Sequence, residues 1–235
     1  MSDSSIHANL ASIRSRIEAA ARAAGRDPAT VRLLAVSKTF GADAVRDAFA
    51  AGQRDFGENK VQEALQKIEA TAELPIRWHL IGHLQSNKVK RAATAFAAIH
   101  SVDSVDLVRR LDAAAVERGA RPGLYIQVDL AGESTKFGAP EADVPDIARA
   151  AASCRAAELK GLMLLPPWFE DPEQARPYFR RLRLLRDRLI EEGVDSSRLA
   201  DLSMGMSHDF EVAIQEGATL VRVGTAIFGK RIVRT

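Results

Sequence analysis

The sequence has a single cysteine, Cys154, so a disulfide within the chain is impossible and a cysteine metal cluster is excluded. A lone thiol fits a reducing compartment. Neither sign of charge is in surplus: 33 Lys and Arg stand against 31 Asp and Glu, a net charge of +2. That balance leaves no electrostatic footprint for nucleic acid or for an anionic membrane. The basic run from Arg180 to Arg188 falls among leucines at helical spacing and reads as a solvated helix face. No apolar run approaches the roughly 20 residues of a membrane span. Met1 to Leu10 is polar and lacks the apolar stretch of a signal peptide, so a cytoplasmic protein is expected. There is no Pro-, Gly- or Ser-rich linker, and one domain over residues 1–235 is the economical reading.

What is present is a long alternation. Ser5 to Gly25 carries Leu10, Ile13 and Ile17 on one helical face, with Gly25 as a stop, and predicts a helix appended ahead of the repeat, within residues 1–30. Short apolar runs then read as buried strands: Arg32–Val36, Asp55–Gly57, Ile76–Ile81, Ala98–Val102, Gly123–Val128, Leu159–Leu164, Asp201–Met204 and Leu220–Val223. Helical stretches separate them: Ala42–Ala51, Lys60–Ala72, Ser86–Phe96, Val105–Arg118, Ala142–Ser153, Pro172–Glu192 and Asp209–Glu216. Strict alternation implies a parallel sheet, and eight repeats close into a (β/α)8 barrel of the TIM type. An open doubly wound sheet is the alternative. It is disfavoured because no Gly-x-Gly-x-x-Gly follows the first strand.

In a parallel barrel the active site lies at the C-terminal ends of the strands. Lys38 follows Leu33-Leu34-Ala35-Val36 and so emerges from a buried strand at the mouth. Partial desolvation lowers an amine's pKa, and a neutral amine attacks an aldehyde to form an imine. A lysine that merely snorkels to the rim is the competing reading. After the seventh strand, Ser207 or His208 starts a helix with Asp209 in its first turn. Gly224-Thr225 follows the eighth strand. Hydroxyls and backbone N–H groups there suit an anion, and barrels often hold phosphate in this place. Ordinary caps and turn glycines would look the same. Alternation puts Leu220, Arg222 and Gly224 on one face. If that face is the lumen, a buried guanidinium needs a ligand or a carboxylate such as Glu58 or Asp129. Asn59, after the second strand, can donate to or accept from a ring substituent. His79 and His83 are four apart but have no evident third ligand, so no metal site is expected. Lys136, in the loop after the fifth strand, is a second amine near the mouth. Met204 and Met206 read as packing.

These segments resemble the pyridoxal phosphate homeostasis proteins, which share the barrel of the alanine racemase N-terminal domain (fold type III among proteins that bind this cofactor). The matching stretches are Ala35-Val36-Ser37-Lys38-Thr39, Phe56-Gly57-Glu58-Asn59, Trp78 to Lys88, Leu202-Ser203-Met204-Gly205-Met206-Ser207 and Val221 to Gly229. The resemblance implies pyridoxal 5′-phosphate (PLP) as cofactor, bound as a Schiff base on Lys38. It implies phosphate contacts from Ser207, Gly224 and Thr225, Arg222 facing the pyridine nitrogen, and Asn59 in the pocket. It gives Lys136 a part in cofactor handling. One departure is Leu164-Leu165-Pro166-Pro167-Trp168, where a smaller-residue version is expected, which changes the shape of the mouth.

The resemblance implies a carrier in PLP homeostasis that supplies apo-enzymes, expected to be a monomer, with no part for nucleic acid or membrane. Residue chemistry leans the same way. Racemisation needs a proton acceptor on each face of the substrate carbon, and Lys38 serves only one. The chain ends six residues after Gly229. Of its two tyrosines, Tyr125 lies in a strand and Tyr178 in a long helix, and neither is an evident second base. An arginine does not give its proton to the ring nitrogen, which leaves the ring a weaker electron sink. A racemase-like enzyme of low activity, a phosphosugar-type barrel enzyme without PLP and a protein-binding scaffold are the competitors.

Overall fold

The computed structural model describes residues 3–132 and 137–229. Five of the expected apolar runs become the consecutive strands β1 (Arg32–Val36), β2 (Asp55–Glu58), β3 (Arg77–Leu80), β4 (Ala98–Val102) and β5 (Gly123–Asp129). A two-residue strand, β6 (Ala139–Pro140), was not expected. Then come β7 (Glu158–Leu164), β8 (Asp201–Met206) and β9 (Leu220–Val223). All the pairings are parallel. The order β4-β3-β2-β1-β9-β8-β7-β5 is closed by pairing of β4 with β5, so eight strands form a barrel. The small β6 pairs with β5 outside that ring. The open-sheet alternative is therefore excluded.

The helices are α1 (Asp3–Ala23), α2 (Ala42–Ala50), α3 (Val61–Ala70), α4 (Val89–Ala95), α5 (Val105–Arg118), α6 (Val144–Ala152), α7 (Arg176–Glu191), α8 (Phe210–Gln215) and α9 (Thr225–Phe228). Three expected helices are shorter because their first turn is a tighter 3-10 turn: Ser86–Lys88, Glu141–Asp143 and Pro172–Ala175. Pro145 and Pro177 sit in the first turns of α6 and α7, where a missing N–H costs nothing. The short α9 has no counterpart in the hydrophobic periodicity.

Two packing surfaces follow from this pattern. Outside the barrel, α3, α6, α7 and α8 pack on the strands, and α1 packs on other helices. In α1, Ile6, Leu10, Ile13 and Ile17 are all buried, each burial worth about 1.5–3 kcal/mol. That stripe packs on α8, α9 and α2. The Asn9 amide also donates to the Ile227 carbonyl at 2.9 Å, tying the first helix to the last. Inside the barrel, Leu34, Ala98, Tyr125, Met163 and Leu220 form a separate apolar layer. Below that layer, at the N-terminal ends of the strands, charged pairs close the floor. Arg77 Nε donates to Asp55 at 2.7 Å, and the Tyr125 hydroxyl donates to Asp201 at 2.7 Å. Arg32 pairs with Asp201 beside it. The other end of the barrel is open.

Candidate functional site

At the open end the strand termini surround a cavity of about 460 Å³, lined by Lys38, Asn59, Ser207, Arg222, Gly224 and Thr225 among others. All six residues singled out in the sequence thus meet in one space, although they come from β1, β2, β8 and β9 and the turns that follow them. Lys136 lies outside the described residues.

Lys38 is half-buried, and the backbone on both sides of it is anchored. Thr39, the next residue, has a φ of 72°, a left-handed conformation that costs about 1–3 kcal/mol for a non-glycine residue. A buried ionic cluster under the turn opposes that cost. The Lys67 ammonium donates to the Ser37 carbonyl at 2.8 Å, to Glu58 Oε1 at 2.7 Å and to Glu63 Oε1 at 2.9 Å. The Ser37 hydroxyl donates to Glu58 Oε1 at 2.6 Å, and the Thr39 N–H donates to Glu63 Oε1 at 2.6 Å. Burial pushes the Glu58 carboxyl up from its ordinary pKa, against the hydrogen bonds from Lys67 and Ser37. Its second oxygen is buried without a hydrogen-bond partner. Nothing in the sequence pointed to Lys67. Its signal was a lysine at a position of α3 that faces the barrel.

Asn59 follows β2, and its backbone is held by close approach to the next strand loop. A Cβ on Gly82 would lie 2.2 Å from the Asn59 carbonyl oxygen. Only glycine fits there. On the opposite wall, the Ser207 hydroxyl accepts from the Gly224 N–H at 3.2 Å. The expected helix start at Ser207 or His208 is corrected. Here β8 runs on to Met206, Ser207 lies in a turn, and α8 begins only at Phe210. Asp209 stands before the helix instead of in its first turn, because its carboxylate accepts from the Met206 N–H at 2.6 Å and holds that turn.

Arg222 is 3% exposed and points inward, as alternation along its strand requires. Its partner is neither of the carboxylates considered from sequence. Nη1 donates to the Ser203 carbonyl at 2.6 Å and to the Ser203 hydroxyl at 2.8 Å, and Nη2 donates to the Leu164 carbonyl at 2.8 Å. Burial lowers its pKa to about 10, opposed by the charge of Asp209. His79 and His83 part company. His79 is buried beside Asp55 and His100. His83 is exposed at the rim and stacks on Phe137 with ring centres 3.7 Å apart. Tyr125 has its hydroxyl on the floor and Tyr178 packs on Phe169. Gln127 and Phe137 also line the cavity and were not anticipated, and Leu165, Trp168 and His208 line it from the segments expected at the mouth. Trp168 is 74% exposed and stacks on His208, so the departure in the loop after β7 puts an indole at the mouth.

This chain matches the family model described as alanine racemase, N-terminal domain, over residues 8–231. A curated relative from Pseudomonas aeruginosa named pyridoxal phosphate homeostasis protein is 47% identical over 229 residues, covering 97% of this chain and 96% of its own length. The protein of that name from Aquifex aeolicus is 42% identical, covering 94% and 96%. The chain belongs to the pyridoxal phosphate homeostasis protein family. Among solved structures, PipY of Synechococcus elongatus, a member described as solved with PLP bound, is similar at a TM-score of 0.85 and 41% identity, covering 95% of this chain and all of that one (100%). An alanine racemase from Clostridium difficile matches at a TM-score of 0.69 and 15% identity, with 58% of its own length covered. That likeness speaks for the fold alone. Among the described residues, no helix of this family member is long and apolar enough to cross a membrane.

Proposed function

We infer that the cavity holds PLP as a Schiff base on Lys38, and that the chain stores the cofactor and supplies it to apo-enzymes inside the cell as a monomer. One observation carries the reading. A half-buried amine, a hydroxyl-and-glycine cradle and a fixed guanidinium open onto one cavity. Its volume of about 460 Å³ lies within the usual range for small-molecule sites. The membership of the family and the PLP-bound relative support the same ligand.

The donor set fits that group. Ser207 and Thr225 offer hydroxyls and Gly224 its backbone to a phosphate. A Cβ on Gly224 would lie 3.1 Å from the Val36 carbonyl oxygen, so the backbone comes close to the wall only because the residue is glycine. Arg222 would donate to the ring nitrogen and keep it unprotonated, since a guanidinium does not release its proton. Asn59 offers its amide to a ring substituent. Lys38 would hold the aldehyde carbon through its amine as an imine, with loss of water. When bound, the cofactor supplies an electron sink for reactions at an adjacent amine carbon.

A carrier reading is favoured over a racemase-like enzyme of low activity because neither tyrosine lines the cavity. No phenol therefore stands opposite Lys38 as a second proton acceptor among the described residues. The test has two steps. Borohydride reduction after incubation with PLP, followed by peptide mapping, yields a pyridoxyl group on Lys38; its absence sinks the reading. Holo-protein mixed with an apo PLP enzyme then restores activity faster than the same amount of free PLP. Robust Lys38-dependent racemisation of L- or D-amino acids would defeat the carrier assignment.

A further inference from the structure

Beneath the cavity, polar side chains from five strands run down the lumen in a continuous line. Arg222 on β9 donates from Nη1 to Ser203 Oγ on β8 at 2.8 Å. Ser203 Oγ lies 3.0 Å from His100 Nδ1 on β4, and His100 Nε2 lies 3.0 Å from His79 Nδ1 on β3. His79 Nε2 lies 3.2 Å from Asp55 Oδ1 on β2. The line begins at the cavity wall and ends at the floor, where Arg77 holds the same carboxylate.

Hydrogen positions on hydroxyls and imidazoles are usually ambiguous. Here the two ends remove the ambiguity. A guanidinium only donates, and a carboxylate only accepts. Ser203 is fully buried, and among the described residues its Oγ has only Arg222 and His100 as partners; since Arg222 can only donate, the Ser203 hydrogen goes to His100 Nδ1. His100 then carries its hydrogen on Nε2 and donates to His79 Nδ1. His79 carries its hydrogen on Nε2 and donates to Asp55. Reversing the bond between Ser203 and His100 leaves the buried Ser203 hydrogen without an acceptor, and reversing the bond between the two imidazoles leaves His100 without a hydrogen. Both imidazoles are thereby neutral. Burial pushes His100 far below the usual imidazole range, and the charges of Arg222 and Arg32 act in the same direction. Hydrogen bonds from His79 and Arg77 hold the Asp55 carboxyl well below its ordinary range even though burial opposes them.

We propose that Asp55, His79, His100 and Ser203 form a one-way hydrogen-bonded strut that positions Arg222 for the cofactor ring, with both histidines locked as Nε2–H tautomers. The proposal rests on the reading of Arg222 as the ring-nitrogen donor. Three of the five guanidinium N–H groups are committed to Ser203 and Leu164. The remaining two are left for a ligand, and the strut keeps the Ser203 lone pairs turned toward Arg222 by fixing where the Ser203 hydrogen goes. The strut does not conduct protons to the ring, because its top member has no lone pair to receive one. Asp55, His79, His100 and Ser203 are positioning residues.

The first test needs no cofactor. Nitrogen-15 NMR of histidine-labelled full-length protein at pH 8 should show two imidazoles protonated on Nε2 and bare on Nδ1, assigned by loss of each signal in His79→Leu and His100→Gln. An Nδ1–H tautomer at either position overturns the strut. The second test uses the PLP-loaded chain. His79→Leu, which cuts the line with two members between the cut and Arg222, should weaken PLP retention about fivefold, the worth of roughly one hydrogen bond, and should shift the visible absorbance band. Tyr125→Phe, which removes a floor hydrogen bond outside the line, should move neither. If His79→Leu leaves retention and band unchanged, or Tyr125→Phe moves them equally, coupling to Arg222 is wrong. Failure of the wild type to form a borohydride-reducible adduct is a separate result. It would overturn the cofactor reading while leaving the tautomers to be judged by NMR alone.

Discussion

On the Lys38 side of the cavity a buried cation is answered by anions. On the Arg222 side it is answered by neutral dipoles. Lys67, beneath Lys38, spends its three donors on Glu58, Glu63 and a carbonyl. Among the described residues Arg222 has no carboxylate in hydrogen-bond contact; two carbonyls and one hydroxyl take three of its donors, and the carboxylate charge that acts on it, that of Asp209, does so without a hydrogen bond. The difference matches what each side presents. An ionic cluster can hold a strained turn rigid, because pulling one member away strands a buried charge. Neutral dipoles orient a guanidinium without neutralising it, so its remaining donors keep their strength for a ligand.

The largest expected effect separates the reacting amine from the frame that holds it. Lys38→Ala removes the visible absorbance of PLP-loaded protein and the reducible adduct altogether. Its far-ultraviolet circular dichroism and its urea midpoint stay close to wild type, because Lys38 is half-buried at the rim. Loss of helical signal would assign Lys38 to the frame. The next effect comes from the frame itself. Lys67→Met strands Glu58, whose side chain is fully buried, and frees the Ser37 carbonyl. It should cost about 3–5 kcal/mol of unfolding free energy, read from denaturant melts. The double variant with Glu58→Gln should recover part of that loss. A cost under about 1 kcal/mol for Lys67→Met would show that the cluster is not what holds the Lys38 turn.

The contrast between the two sides was only half legible in the sequence. The barrel was legible because its strands are short apolar runs with helical periodicity between them. The six cavity residues were legible because each stands at a strand's C-terminal end. The strut was not, because its bonds join residues far apart in the chain: His79 and His100 are separated by 21 positions, His100 and Ser203 by 103. A signal did exist. Ala98-Ile99-His100-Ser101-Val102 reads as a fully buried strand, and a histidine inside such a run must find a partner. The 3-10 turns at the starts of α4, α6 and α7 were missed because apolar spacing alone does not distinguish them from a first α-turn. The segment of Trp168 was expected at the mouth, but its stacking on His208 and that of Phe137 on His83 were missed because they depend on loops, whose course periodicity does not set.

The pH dependence of stability should also divide the two sides, with opposite signs. His100 is held neutral in the folded state, below the value of about 6.5 it has when unfolded. The unfolded chain therefore binds the proton first, and this contribution is lost as pH falls below about 6.5, by at most about 1.4 kcal/mol per pH unit. Glu58 is pushed up by burial, so the folded state binds its proton first and acid favours folding through that group. Asp55, held low, contributes only when pH falls below about 4. Urea midpoints between pH 7 and 5 should fall with acid in the wild type. The fall should flatten in His100→Gln and steepen in Glu58→Gln. Parallel profiles in all three would mean that neither group is perturbed as described.

The smallest expected effect lies at the cradle and sharpens the difference between groups held in the lumen and groups at its edge. Thr225 is exposed, whereas Ser207 is half-buried and already engaged by the Gly224 N–H. Thr225→Val removes one hydroxyl but leaves the backbone in place, and water can take up the lost contact. PLP retention, measured by dialysis or by competition with an apo enzyme, should weaken only about threefold, the lower end of what a hydrogen bond contributes. Ser207→Ala should weaken it more, because the Ser207 hydroxyl sits in a half-buried wall where water replaces it less easily. If Thr225→Val proved the costlier change, the anion would have to sit nearer the rim than Ser207, and the strut under Arg222 would be aimed past the ring it is meant to hold.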